Sequence, residues 1–123
     1  MNVLSLVLGD LITLAVLTYL GFATHGEAGF SFLPRMGITF AALTLGWFAL
    51  APALGLFDAS RAGSTRQLWR PALTGLFAAQ LAVNLRGLIL GSDVQPLFAV
   101  VLGITTALGM LAWRALVIWL AGR

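Results

Sequence analysis

The chain reads as an all-α polytopic integral membrane protein, a single domain formed by an antiparallel bundle of four transmembrane helices. Three observations predict this. Of its 123 residues, 60% are apolar and only 9% are charged, where a soluble domain carries roughly 25% charged residues. Its mean hydropathy is +1.01. Four apolar runs also reach the ~20 residues that a helix needs to cross ~30 Å of hydrocarbon. Eleven charged side chains cannot clothe a water-soluble globule of this size, so an ordinary cytosolic enzyme or binding module is excluded.

The first run, 3–23, is interrupted only by Asp10. It has no basic residue ahead of it and no small-residue cleavage pattern behind it, so it is expected to be a retained helix rather than a secretory leader. The second, 36–57, carries no charge until it ends, and Pro52 should kink its last turn. The third, 71–91, contains Gln80, Asn84 and Arg86, and the fourth, 97–121, contains Arg114. These runs are continuous and rich in Ala, Leu and Gly, without the alternation of a membrane barrel, which favours helix over strand. Pro34, Pro71 and Pro96 stand at helix entrances, where a missing N–H does no damage. The connections are short, so each helix should lie beside the next in sequence.

The basic balance consists of arginine alone: seven basic residues without one lysine, giving a net charge of +3. They are scattered between apolar runs rather than gathered into the basic stripe of a nucleic-acid binder, so no nucleic-acid partner is expected. Arg61, Arg66 and Arg70 cluster in the central connection and Arg123 is the last residue. By the positive-inside tendency this puts the central connection and both termini on the cytoplasmic side of a prokaryotic plasma membrane. Trp69, Trp119 and Tyr19 then fall near the interfaces, where amphipathic rings settle. The chain has no cysteine, which excludes disulfides, thiolate nucleophiles and cysteine metal sites. One histidine and four carboxylates make a poor metal cage, and no phosphate-loop, HExxH or GxSxG pattern is present. Neither metal nor cofactor is expected, and no catalytic residue is nominated.

Functional interest falls on the costly residues. An ionised side chain at mid-membrane costs ~2.5–3.5 kcal/mol on insertion scales, so it normally faces protein or water and has a partner. Asp10 lies seven residues inside the start of the first run and Arg114 seven residues before the end of the fourth. At ~1.5 Å per residue both are ~10 Å from the same boundary, and this matched depth predicts an Asp10–Arg114 ion pair. That pair either pins two helices together or serves a proton or ion relay; the alternative is that Arg114 snorkels inward with no partner. A second group, His25, Glu27, Arg35, Arg86 and Asp93, gathers at the opposite level. It is either a salt-bridge lid or a cradle for a phosphate or carboxylate, since guanidinium forks bind such groups bidentately. On the third helix, Arg86 shares a stripe with Ala82, Ala79 and Gly75, while Gln80, Asn84, Gly87 and Gly91 occupy another, so little of its surface suits lipid. That helix should be central, or lie between the bundle and a second copy. The candidate binding residues are therefore Asp10, Arg114, Arg86, His25, Glu27, Arg35, Asn84 and Gln80.

In order along the chain, Asp10, Gly21 followed by His25, Gly46-Trp47, Arg70-Pro71, Arg86 and Trp113-Arg114 form a set of polar and aromatic landmarks. Their order and depth resemble the small prokaryotic membrane proteins grouped as domain-of-unknown-function family number 3054, over nearly the whole chain. The resemblance implies four membrane helices and adds no chemistry.

Three functions are compatible with these features. The first is a transporter or ligand-binding membrane protein that uses the intramembrane Asp and Arg sites. It would bind a small anionic or lipid-like ligand and, since four helices seldom enclose a pathway alone, assemble as a homo-oligomer. The second is an accessory or scaffold subunit whose charges only specify helix packing. The third is an enzyme acting on a lipid head group, which needs a water-accessible cavity beside His25 and Arg86.

Overall fold

The computed structural model describes residues 3–24, 33–58, 65–91 and 96–121. They form four long helices, α1 (Val3–Thr24), α2 (Leu33–Leu50), α3 (Trp69–Leu90) and α4 (Pro96–Ala121), with a short 3-10 turn at Thr65–Gln67 ahead of α3. All four are long and apolar enough to cross a membrane. Each helix packs against its neighbours in sequence, and α1 closes the ring against α4.

The faces of α1 show how the sequence makes this arrangement. Leu6, Asp10, Leu14 and Thr18 recur every fourth residue and are buried, while Leu4, Leu8, Ile12, Val16 and Leu20 recur at the same interval and are exposed. Both stripes follow from the 3.6-residue turn, which puts i and i+4 on one face. The outward stripe is wholly apolar, whereas the inward one holds a carboxylate and a hydroxyl. On α4 the inward positions are Gly103, Thr106, Met110, Arg114 and Val117, and the outward ones include Val100, Ile104, Leu108 and Trp119. A few polar and charged groups thus share the interior with apolar side chains, while large apolar side chains also cover the outer faces of these helices, unlike those of a water-soluble bundle. The buried hydroxyls of Thr18 and Thr74 are satisfied within their own helices: Thr18 donates to the Leu14 carbonyl at 2.8 Å and Thr74 to the Arg70 carbonyl at 2.7 Å.

Small residues set the close contacts around α3, whose buried face runs through Thr74, Gly75, Ala78, Ala79, Ala82 and Val83. A Cβ on Gly46 of α2 would lie 2.8 Å from the Ala78 carbonyl oxygen, and one on Gly75 would lie 3.0 Å from the Ala107 Cα. Both obstacles are backbone, so glycine is what allows α2 and α4 to approach α3. The centre is then filled by Leu14, Leu43, Trp47, Ala78, Ala79 and Met110.

The second helix ends earlier than the 36–57 run suggests. Regular helix stops at Leu50, and residues 51–57 form a succession of turns. Pro52 supplies no N–H and disfavours helical geometry at the residue before it, so it ends the regular helix where a kink was expected. The turns close at Gly55, whose φ of 76° is in the left-handed region. The Gly55 N–H donates to the Pro52 carbonyl at 3.1 Å and the Leu56 N–H reaches the Ala51 carbonyl at 3.0 Å, the paired bonds of a Schellman motif. This turn folds Leu56 back into the buried interior. By contrast α3 ends simply, at Gly91 with φ of 64°.

Candidate functional site

The Schellman turn and three helices converge on Asp10. Its side chain is 0% exposed and that of Arg114 is 2% exposed, so neither has recourse to water. Arg114 presents a fork to the carboxylate: Nη2 donates to Oδ2 at 2.7 Å and Nε to Oδ1 at 3.1 Å. Two indoles complete the shell. Trp47 Nε1 of α2 donates to Oδ2 at 3.0 Å and Trp113 Nε1 of α4 donates to Oδ1 at 2.8 Å. Each oxygen therefore accepts one guanidinium N–H and one indole N–H. A carboxylate has about four lone-pair sites, and here all are taken by the protein's own donors.

The guanidinium is held from the other side as well. Arg114 Nη1 donates to the Leu56 carbonyl at 2.7 Å, and its Cζ lies 5.4 Å from the centre of the Phe57 ring. Arg70, in the first turn of α3, secures the same turn by donating from Nη1 to the Leu54 carbonyl at 2.8 Å. Its Nε donates to Gln67 Oε1 at 2.6 Å, and its Cζ stacks 4.5 Å over the Trp69 ring. The Leu54 and Leu56 carbonyls belong to the turns beyond the regular helix, and the two arginines supply them with hydrogen-bond donors. Gly9 makes room for one indole: a Cβ there would collide with the six-membered ring of Trp113. The neighbouring Gly9 and Asp10 thus fit the neighbouring Trp113 and Arg114 as a matched pair of surfaces.

The structure joins Asp10 and Arg114, the two residues matched by depth. Gln80, Asn84, Arg35 and Arg86 take no part in the shell around Asp10. Gln80 is half-buried and donates to the Ala99 carbonyl at 3.0 Å, tying α3 to the start of α4. Asn84 is exposed and folds onto the Gln80 carbonyl at 2.8 Å. Arg86 lies half-buried with its Cζ 5.0 Å from the centre of the Phe98 ring. Arg35 is exposed in the first turn of α2. His25, Glu27 and Asp93 fall outside the described residues, so the cluster expected at that level is represented by Arg35 and Arg86 alone. Among the described residues no three His, Cys, Asp or Glu side chains group as metal ligands would.

Sequence reasoning missed the two indole donors, the Leu54 and Leu56 carbonyl acceptors, and the part played by Arg70. The available signal was Trp in each of the pairs Gly46-Trp47 and Trp113-Arg114, because a buried indole N–H needs an acceptor.

Fold and site together define a class: an all-helical protein with four helices of membrane-crossing length, clasped by a buried carboxylate–guanidinium centre with an indole on either side. The chain belongs to the family described as protein of unknown function DUF3054, whose profile matches residues 7–117. No curated protein and no solved structure matches it.

Proposed function

We propose that this chain is an integral membrane protein, an antiparallel four-helix bundle with both termini cytoplasmic, and that it works as an accessory or scaffold subunit. In this reading the Asp10–Arg114 centre is a lock that specifies helix pairing. One observation carries it: the four acceptor sites of Asp10 are filled by Arg114, Trp47 and Trp113. A carboxylate that relays protons or cations needs an acceptor site open to water or to the ion, and this one is saturated and dry. The membrane setting is supported by the apolar outer faces of α1 and α4, which would be costly in water, and by the polar and charged groups in the interior.

The test sets assembly against flux. Asp10→Asn and Arg114→Gln are expected to lower the yield of monodisperse protein in detergent. The parent protein, in liposomes loaded with a pH-sensitive dye, is expected to pass no more protons than empty liposomes. Flux through the parent that vanishes in well-folded Asp10→Asn would instead establish a relay. Because cysteine is absent, Ser64→Cys gives a single thiol, and its labelling only after the inner face is opened would fix the orientation.

A second reading, ligand binding or transport by a homo-oligomer in contact with lipid, is favoured by the interruption of α2. Irregular backbone at membrane depth is tolerated where protein buries it or where it lines a cavity, and broken helices mark many transporter sites. Here residues 51–57 meet Arg114 directly. Cross-linking in native membranes tests this reading at its first step: a monomer throughout would remove the second copy on which the pathway depends.

A further inference from the structure

The donors that surround Asp10 come from outside its own helix. Trp47 belongs to α2, while Trp113 and Arg114 belong to α4. Arg114 is positioned independently of Asp10 by the Leu56 carbonyl and the Phe57 ring, and Trp47 lies wholly buried in the core. α2 and α4 are themselves fixed through α3, by the close approaches at Gly46 and Gly75. The contribution of α1 to this centre is the carboxylate, together with the gap that Gly9 leaves for the Trp113 ring.

We propose that Arg114, Trp47 and Trp113 form an anion receptor built on α2 and α4, of which the Asp10 carboxylate is the tethered occupant, and that the receptor takes a free small carboxylate when Asp10 is removed. The donor pattern suits a planar, two-oxygen anion: four N–H groups converge, one guanidinium and one indole on each oxygen, within 2.7–3.1 Å. Charge-assisted, bidentate geometry of this kind is specific for carboxylates over spherical anions. Docking of α1 and binding of a carboxylate ligand therefore compete for one set of donors, and α1 acts as a built-in competitor. The inference draws on the lock reading only in that removal of Asp10 must weaken the bundle.

The experiment is chemical rescue of Asp10→Ala in detergent. Thermal unfolding is measured during titration with sodium formate, with sodium chloride at equal ionic strength as reference. Formate has three heavy atoms, and small ligands gain only a limited free energy per atom, so the dissociation constant should be no tighter than about 0.5 mM and the titration has to extend well above that concentration. A saturable rise in unfolding temperature with formate is expected. It should be absent with chloride, in the parent protein, and in Asp10→Ala/Arg114→Gln. If Asp10→Ala is recovered only as aggregate, it is solubilised from membranes in formate or in chloride. Monodisperse protein in formate alone supports the receptor. Equal failure in both salts, or an unfolding temperature that formate does not move, overturns it. A destabilised Asp10→Ala that formate leaves unchanged would refute the receptor while the lock reading stands; an Asp10→Ala as stable as the parent would refute the lock.

Discussion

Asp10→Asn preserves the shape of the side chain and removes its charge, so its cost isolates the electrostatic part of the centre. Each carboxylate oxygen accepts one guanidinium N–H and one indole N–H. Whichever way the new amide is turned, its NH2 therefore faces two donors and both bonds on that side are lost. Hydrogen bonds to charged groups contribute ~1.5–3 kcal/mol each, which makes the loss ~3–6 kcal/mol. An independent route gives the same range, since removing one partner of a buried ion pair costs ~3–5 kcal/mol. Reversible unfolding in mixed micelles, followed by helical circular dichroism, should show this drop, and the emission of Trp47 and Trp113 should shift as their indoles lose the carboxylate. A loss below about 1 kcal/mol, the range of solvent-exposed pairs, would refute the claim that Asp10 holds four buried donors.

Four further outcomes follow from the same structure. Replacing the whole pair, as Asp10→Leu/Arg114→Met, is often harmless in buried ion pairs. Here it would strand both indole N–H groups and the Leu56 carbonyl at ~1–3 kcal/mol each, so the double variant should stay at least ~3 kcal/mol below the parent in the same unfolding assay. Gly46→Ala pushes a methyl to 2.8 Å from the Ala78 carbonyl oxygen and should cost ~1–3 kcal/mol through overpacking. Gly37→Ala, which meets nothing within 4 Å, should be neutral or raise the melting temperature slightly by improving helix propensity. Gly55→Ala forces a side chain into a backbone with φ of 76°, at ~1–2 kcal/mol. Limited proteolysis should then show faster cleavage near residues 51–57, because the Schellman turn holds that segment in place.

Much of the architecture was legible because hydropathy and helix length are strong, local signals. Four long, predominantly apolar runs bring out helices whether or not their partners are known. Depth was legible too, since rise per residue converts position into height, and this linked Asp10 with Arg114 across more than a hundred residues. The limits of that reasoning lie in the second helix. With its end set at 57, Trp47 sits ten residues inside the boundary, deeper than Asp10, and does not enter the comparison. With regular helix ending at Leu50, Trp47 is three residues from that end, and the turns beyond it fold back to Arg114. Pro52 and Gly55 together are a stop signal of known type, proline near the end and glycine in the left-handed cap. Read jointly, they end the regular helix before 57 and turn the segment that follows back toward Arg114.

Azimuth was the harder quantity. Spacing tells which residues share a face, yet not which neighbouring helix that face meets. On α3 the sequence offered two stripes of polar or small residues, and packing selected the one through Gly75, Ala79 and Ala82 for burial, leaving Asn84 outside. Backbone approach decides such choices. Gly46 and Gly75 admit main-chain atoms of the next helix to 2.8 and 3.0 Å from where a Cβ would stand, and these close approaches set the rotation of α2 and α4 about α3. Once those rotations are set, Trp47, Trp113 and Arg114 point to one place. A carboxylate on α1 is then the natural complement, placed beside the one glycine whose absent side chain leaves space for the Trp113 ring. The glycines thus determine where the charges meet, and the charges determine that α1 closes the ring.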